Sequence, residues 1–156
     1  MYQYYEYKYL VDMRDIESLK NILEALYGGS DPYSSGWVSS VYFDSLDRRS
    51  IQECADGQEI KRKFRIRAYD LNLESNLHLQ IKEKNLSAIK KYKYKHNGVI
   101  DRWPDIGQVE DSAIASLSAQ YCNLEPIIRI DYKRHRYKVF DYRVTFDESI
   151  RFFAKG

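Results

Sequence analysis

The stretch Lys61-Arg62-Lys63-Phe64-Arg65-Ile66-Arg67-Ala68-Tyr69 decides how this chain is read. On an extended strand successive side chains point to opposite faces. Lys61, Lys63, Arg65 and Arg67 therefore share one face, and Phe64, Ile66 and Ala68 share the other. Like charges lining an enclosed face repel one another strongly unless an anion lies among them. A wet outer face over an apolar core carries the same pattern without cost. Alternation places the cations together and leaves open which way their face points.

The same polarity recurs along the chain. In the segment 77–84, His78, Gln80, Lys82 and Lys84 oppose Leu77, Leu79 and Ile81. Lys91, Lys93 and Lys95 then alternate with Tyr92, Tyr94 and His96. Tyr132, Arg134 and Arg136 share one side of a later strand, as do Arg143 and Thr145 of the last. Glu6 and Lys8 contribute from the first, opposite Tyr5, Tyr7 and Tyr9. Turned inward, such a face suits phosphate: guanidinium forks and ammonium groups match its oxygens, and many together match several phosphates. Tyr132 adds a hydroxyl donor. Glu6 helps only if it pairs with Lys8 or holds Mg²⁺ or Mn²⁺ against the phosphates.

Composition narrows the classes. The 156 residues suit one domain with a real core. The 25 basic and 23 acidic residues nearly cancel, to a net charge of +2, so anion binding has to come from segregated charge. That argues against a general nucleic-acid coat. Cys54 and Cys122 match no metal spacing and suggest no disulfide framework, and the histidines His78, His96 and His135 are scattered. A cytoplasmic setting is expected: no apolar run is long enough to span a membrane, and the N-terminus reads directly into a strand. No Gly-rich phosphate loop is present.

The pattern predicts a strand over 2–11 and then a helix capped by Asp12 or Asp15 and running to about Tyr27. Ile16, Leu19, Ile22, Leu23 and Leu26 form its core stripe. A strand follows from Trp37 to Phe43, and a turn with a short helix from Asp44 to Cys54. Strands are predicted near 60–70, 76–85 and 89–97, a helix near 109–121, and strands near 127–138 and 140–148. Short alternating strands with covering helices give an α+β, β-rich fold built on an antiparallel barrel or strongly curved sheet.

Several of these segments, in order, resemble a known family. They are Tyr5-Glu6-Tyr7-Lys8-Tyr9-Leu10-Val11, Ser40-Val41-Tyr42-Phe43-Asp44-Ser45, Lys63-Phe64-Arg65-Ile66-Arg67-Ala68-Tyr69 and Leu79-Gln80-Ile81-Lys82. Asp131-Tyr132-Lys133-Arg134 and Tyr142-Arg143-Val144-Thr145-Phe146-Asp147 complete the set. Together they resemble the VTC domain, the polyphosphate polymerase domain of the CYTH-like triphosphate tunnel superfamily. The resemblance implies an antiparallel barrel around a basic tunnel for ATP, another triphosphate or polyphosphate, with a divalent cation (Mn²⁺ or Mg²⁺). In polymerising members ATP donates its γ-phosphate to a growing chain.

By the same resemblance, Arg65, Arg67, Lys82, Arg134 and Arg143 are the expected catalytic cations. Lys8, Lys91, Lys93 and Tyr132 are the expected substrate contacts, with Lys90 in place of Lys91 if the register is shifted, and Glu6 is the expected metal ligand. The chain departs from the family pattern at three points. Tyr4 stands where a first glutamate is expected, and Gln80 replaces a carboxylate common before the tunnel lysine. The last strands, with a metal-binding glutamate and a further lysine, are not found after Asp147. The resemblance therefore leaves three outcomes: a polymerase-type phosphotransferase, a noncatalytic polyphosphate or nucleotide sensor, or a triphosphatase. A segment 150–154 at an open sheet edge also predicts that a second copy can complete the barrel as a homo-oligomer.

Overall fold

The computed structural model describes residues 2–27, 33–71, 77–86, 88–95 and 124–155. In chain order these form β1 (Tyr2–Tyr4), α1 (Met13–Tyr27), β2 (Ser35–Asp44), α2 (Arg49–Ala55), β3 (Ile60–Ala68) and β4 (His78–Asn85). β5 (Ala88–Lys95), β6 (Glu125–Val139) and β7 (Tyr142–Ala154) follow. All strands join one antiparallel sheet in the order β1-β5-β4-β3-β2-β6-β7. The fold is therefore the expected β-rich α+β class. The expected helix near 109–121 and Cys122 lie outside the described residues.

Register divides the sheet into two faces. Arg65 lies opposite Tyr42 and Gln80, Arg67 opposite Ser40 and His78, and Gln80 and Lys82 opposite Lys93 and Lys91. The intervening residues Val41, Phe43, Phe64, Ile66, Ala68, Leu79 and Ile81 bury together with Leu77 and Leu124, backed by Tyr92 and Tyr94. This apolar face is the core. Both helices pack on the sheet, α2 near β2 and β3 and α1 near β6.

Local chemistry sets the helix starts. Asp12 caps α1: its Oδ1 accepts the Arg14 N–H at 3.0 Å, and its carbonyl accepts the Asp15 N–H at 3.0 Å. Asp44, fully buried at the end of β2, holds the segment leading into α2. Its Oδ1 accepts the N–H groups of Ser45 and Ser50, both at 2.9 Å, and its Oδ2 accepts that of Ile51 at 3.2 Å. Asp44→Ala strands those buried donors and is expected to cost about 3 kcal/mol. Urea denaturation measures it, and a loss below about 1 kcal/mol would show the carboxylate to be dispensable.

Three expectations are corrected. The strand predicted over 2–11 stops at Tyr4. β1 pairs Tyr2, Gln3 and Tyr4 with Lys91, Lys90 and Ile89, and one residue further on β5 begins at the Asn85–Ala88 hairpin. Among the described residues no ladder continues beyond that point, and the chain turns back so that Glu6 reaches Lys82 of β4. The α1 stripe is also only half buried. Leu19, Ile22 and Leu26 are exposed, because the face bearing Ile16, Lys20, Leu23 and Tyr27 is turned to the sheet. Polar anchors fix that rotation: Lys20 Nζ donates to Glu148 at 2.8 Å, and Tyr137 Oη to Glu24 at 3.3 Å.

The third correction concerns the C-terminus. β7 does not end near 148 but runs to Ala154, interrupted by a bulge at which Ser149 takes a positive φ of 53°. Glu148 faces Lys133 and Arg151 faces Asp131, so Ser149 and Ile150 together oppose Tyr132. The extra residue inverts the alternation, so that Phe152 comes to the same face as Asp147. The sheet curves but, among the described residues, β1 and β7 remain its two edges without a ladder between them. β1 is three residues long and β7 thirteen, which leaves most of the β7 edge without a matching strand.

Candidate anion site on the cationic face

The face opposite the core gathers the expected cations. Arg65 and Arg67 project from β3, Lys82 from β4, Lys91 and Lys93 from β5, and Tyr132 and Arg134 from β6. This face is itself secluded: Val38, Ser40 and Gln80 are fully buried, and Arg67 is only 5% exposed. Long charged side chains lie over short ones, as expected on the inside of a curling sheet. Glu6 folds back over this face, where its Oε2 accepts from Lys82 Nζ.

Neutral acceptors hold the two central arginines. Arg65 donates from Nε and Nη2 to Gln80 Oε1, at 3.1 and 2.9 Å, and from Nη1 to Tyr42 Oη at 3.0 Å. Arg67 donates from Nε to Ser40 Oγ at 3.0 Å and from Nη2 to Tyr132 Oη at 2.8 Å. Hydroxyls and an amide oxygen aim the guanidinium groups without cancelling their charge, as a carboxylate would. The Tyr132 ring also stands between two cations, with Arg67 at 5.9 Å and Arg134 at 5.1 Å from its centroid. Arg134 is paired differently: its Nε and Nη2 donate to the two Asp147 oxygens, each at 2.6 Å.

The crowding is visible in the titration of these groups. Burial first, and then the charges of Arg65, Arg67, Lys93 and Lys82, bring Lys91 from 10.5 down to about 8. Burial likewise lowers Lys82, although its hydrogen bond and charge pairing with Glu6 oppose the shift. Arg67 is lowered by burial and by Arg65. For Glu6 burial favours the neutral acid, but the Lys82 hydrogen bond and the charges of Lys82, Lys8 and Arg134 outweigh it and lower the pKa. Tyr42 is also lowered, because Arg65 outweighs burial, whereas burial raises Tyr132. A face that lowers a lysine this far is short of negative charge.

Not every expected residue joins this cluster. Lys8 is exposed but acts electrostatically on both Glu6 and Lys82. Lys93 lies at the exposed margin, 6.0 Å from the Tyr69 ring centroid. Arg143 shares the face but sits opposite Lys138, toward the β6–β7 hairpin. Four residues along the strand from Asp147, it is about 13 Å away from the Arg134 pair. Lys61 lies opposite Lys84 toward the other end of β3, as a rim charge. Ser40 and Tyr42 were not singled out from sequence, although their alternation on β2 matches that of Arg65 and Arg67.

The expected divalent cation finds a poor donor set. Among the described residues no group of three or more His, Cys, Asp or Glu side chains comes together. Two carboxylates at this face, Glu6 and Asp147, are engaged by Lys82 and Arg134. These residues do not fit a metal held by the protein alone.

The model of the VTC domain family matches residues 3–155, nearly the entire chain. The chain belongs to the VTC domain family. No curated protein matches it. Among solved structures, this VTC domain is similar to the crystal structure of a putative adenylate cyclase from Bacillus halodurans, with a TM-score of 0.57. The identity is 13%, over 88% of this chain and 68% of that one, so the likeness is one of fold. Among the described residues, no helix of the VTC domain is long and apolar enough to cross a membrane.

Proposed function

We propose that the cationic face of this VTC domain binds the phosphate chain of ATP or polyphosphate and serves an ATP-dependent polyphosphate polymerase-type transfer. Arg65, Arg67, Lys82 and Arg134 hold the reacting phosphates, with Lys91, Lys93, Lys8 and Tyr132 along the chain and Arg143 further out toward the β6–β7 hairpin. In the transfer, an oxygen of the polymer's terminal phosphate bonds to the γ-phosphorus as the bond to the β–γ bridging oxygen breaks, and ADP leaves. The protein contributes alignment and charge, which this reaction chiefly needs. The supporting observation is the pair of guanidinium groups aimed by neutral acceptors beside two lysines of lowered pKa. Incubation with ATP, with and without Mn²⁺, tests it: lengthening phosphate chains are expected, and release of free phosphate alone would replace polymerase by triphosphatase.

A second reading, binding without turnover as a polyphosphate or nucleotide sensor, is favoured by the engagement of Glu6 and Asp147 with cations. Both readings share one pH signature. Lys91 binds a proton below about pH 8 among the neighbouring cations, and bound phosphate offsets those cations and restores its affinity for the proton. Binding of tripolyphosphate is therefore expected to take up most of a proton roughly one pH unit above 8 and very little one unit or more below. Affinity falls as pH rises through that range. Calorimetry in buffers of different ionisation enthalpy measures the uptake, and Lys91→Met should abolish it.

The same shift affects stability. Between about pH 8 and 10.5 the unfolded chain holds the Lys91 proton that the empty fold does not. The empty fold therefore gains stability from this group as pH rises through that window.

A further inference from the structure

Gln80 carries a donor that its protein neighbours do not use. Its side chain is fully buried in the middle of β4, and among the described residues Nε2 has no hydrogen-bond partner. The orientation of the amide follows from its neighbour, because a guanidinium has only donors. Oε1 must face Arg65, from which it accepts twice, and this turns Nε2 away. On the cationic face Gln80 has Arg65 and Lys93 across from it and His78 and Lys82 along its own strand. The cationic neighbours Arg65, Lys82 and Lys93 are donors only, and the nearby Glu6 is held by Lys82, so an anion's oxygen would supply the acceptor this group lacks. Buried polar groups are satisfied in the great majority of native proteins, and an exception calls for a partner.

We propose, building on the phosphate-binding reading, that Gln80 is itself a ligand for a phosphate oxygen. One end of the amide aims Arg65 and the other donates to the substrate. Nε2 is enclosed, so an anion reaches it only as the side chains over it give way. A carboxylate at this position would accept from Arg65 but repel phosphate and attract a cation. The amide therefore makes the site receptive to the bare phosphate chain, in keeping with a donor set that does not hold a metal by itself.

Tripolyphosphate titrated into the whole chain in the presence of a chelator tests the assignment. Gln80→Glu keeps an acceptor for Arg65 and removes the amide donor. It should weaken metal-free binding by about tenfold or more, and Mn²⁺ should recover part of the loss. Gln80→Met removes both functions and should bind at least as weakly, with no recovery by Mn²⁺. In the unmodified protein, the Gln80 side-chain NH₂ resonances should shift on titration, a readout independent of whether either variant folds.

If tripolyphosphate does not bind the unmodified protein, the phosphate-binding reading fails. If it binds and Arg65→Ala with Arg67→Ala abolishes binding, but Gln80→Glu binds normally and the Gln80 NH₂ signals stay fixed, the Gln80 assignment alone is overturned.

Discussion

Replacing Arg65 and Arg67 together by alanine is expected to lower tripolyphosphate affinity by at least about a hundredfold without lowering stability. Each guanidinium makes charge-assisted hydrogen bonds to phosphate, worth about 1.5–3 kcal/mol apiece, and a factor of ten costs about 1.4 kcal/mol. The stability side has the opposite cause. Both charges lie in a crowded cationic cluster, and Arg67 is held below its ordinary pKa by burial and by Arg65. Their removal relieves repulsion, while the lost bonds to Gln80, Tyr42, Ser40 and Tyr132 offset part of that relief. Titration calorimetry and thermal unfolding on the same sample separate the two quantities. Unchanged affinity would falsify the assignment of this face to phosphate.

Phe64→Ala, one residue away from Arg65, should do the reverse. Phe64 is 1% exposed and packs in the core with Val41, Phe43, Ile66, Leu79 and Ile81. Truncating such a ring removes its burial and leaves a cavity, at a cost of about 3–5 kcal/mol. Against a typical domain stability of about 5–15 kcal/mol that is a large fraction. Denaturant unfolding should show a lower midpoint with a similar slope. Under conditions where the variant remains folded, its tripolyphosphate affinity should stay within a few fold of the unmodified chain. If Phe64→Ala weakened binding strongly while Arg65→Ala unfolded the protein, the two faces would have been assigned the wrong way round.

Alternation made the face-sharing of these side chains legible, because side-chain direction on a strand is a local property of the backbone. Arg65, Arg67, Lys82, Lys91, Tyr132 and Arg134 could all be placed on common faces in this way, and the structure brings them onto one. The core positions of Phe64, Ile66, Leu79 and Ile81 were legible for the same reason, whereas the cap of α1 lay between Asp12 and Asp15 by sequence, and only the structure shows Asp12 accepting the Arg14 N–H. The acceptors Ser40 and Tyr42 were harder to see, because their role depends on the β2–β3 register. The pairing of Glu6 with Lys82 was hidden more deeply, since it requires the chain after β1 to leave the sheet and fold back. The rotation of α1 was likewise out of reach. Lys20 and Glu24 are ordinary solvent-facing residues by composition, and only Glu148 and Tyr137 on distant strands make them the anchored face.

By itself, then, the sequence determined the row of cations at Lys61–Arg67, its apolar reverse side and the recurrence of both on later strands, since a period of two needs only neighbouring residues. Tertiary structure decided that the cationic side is secluded and that neutral groups hold its arginines. It also left Gln80 with a spare donor at the centre, because cross-strand register and sheet curvature arise from contacts far apart in the chain.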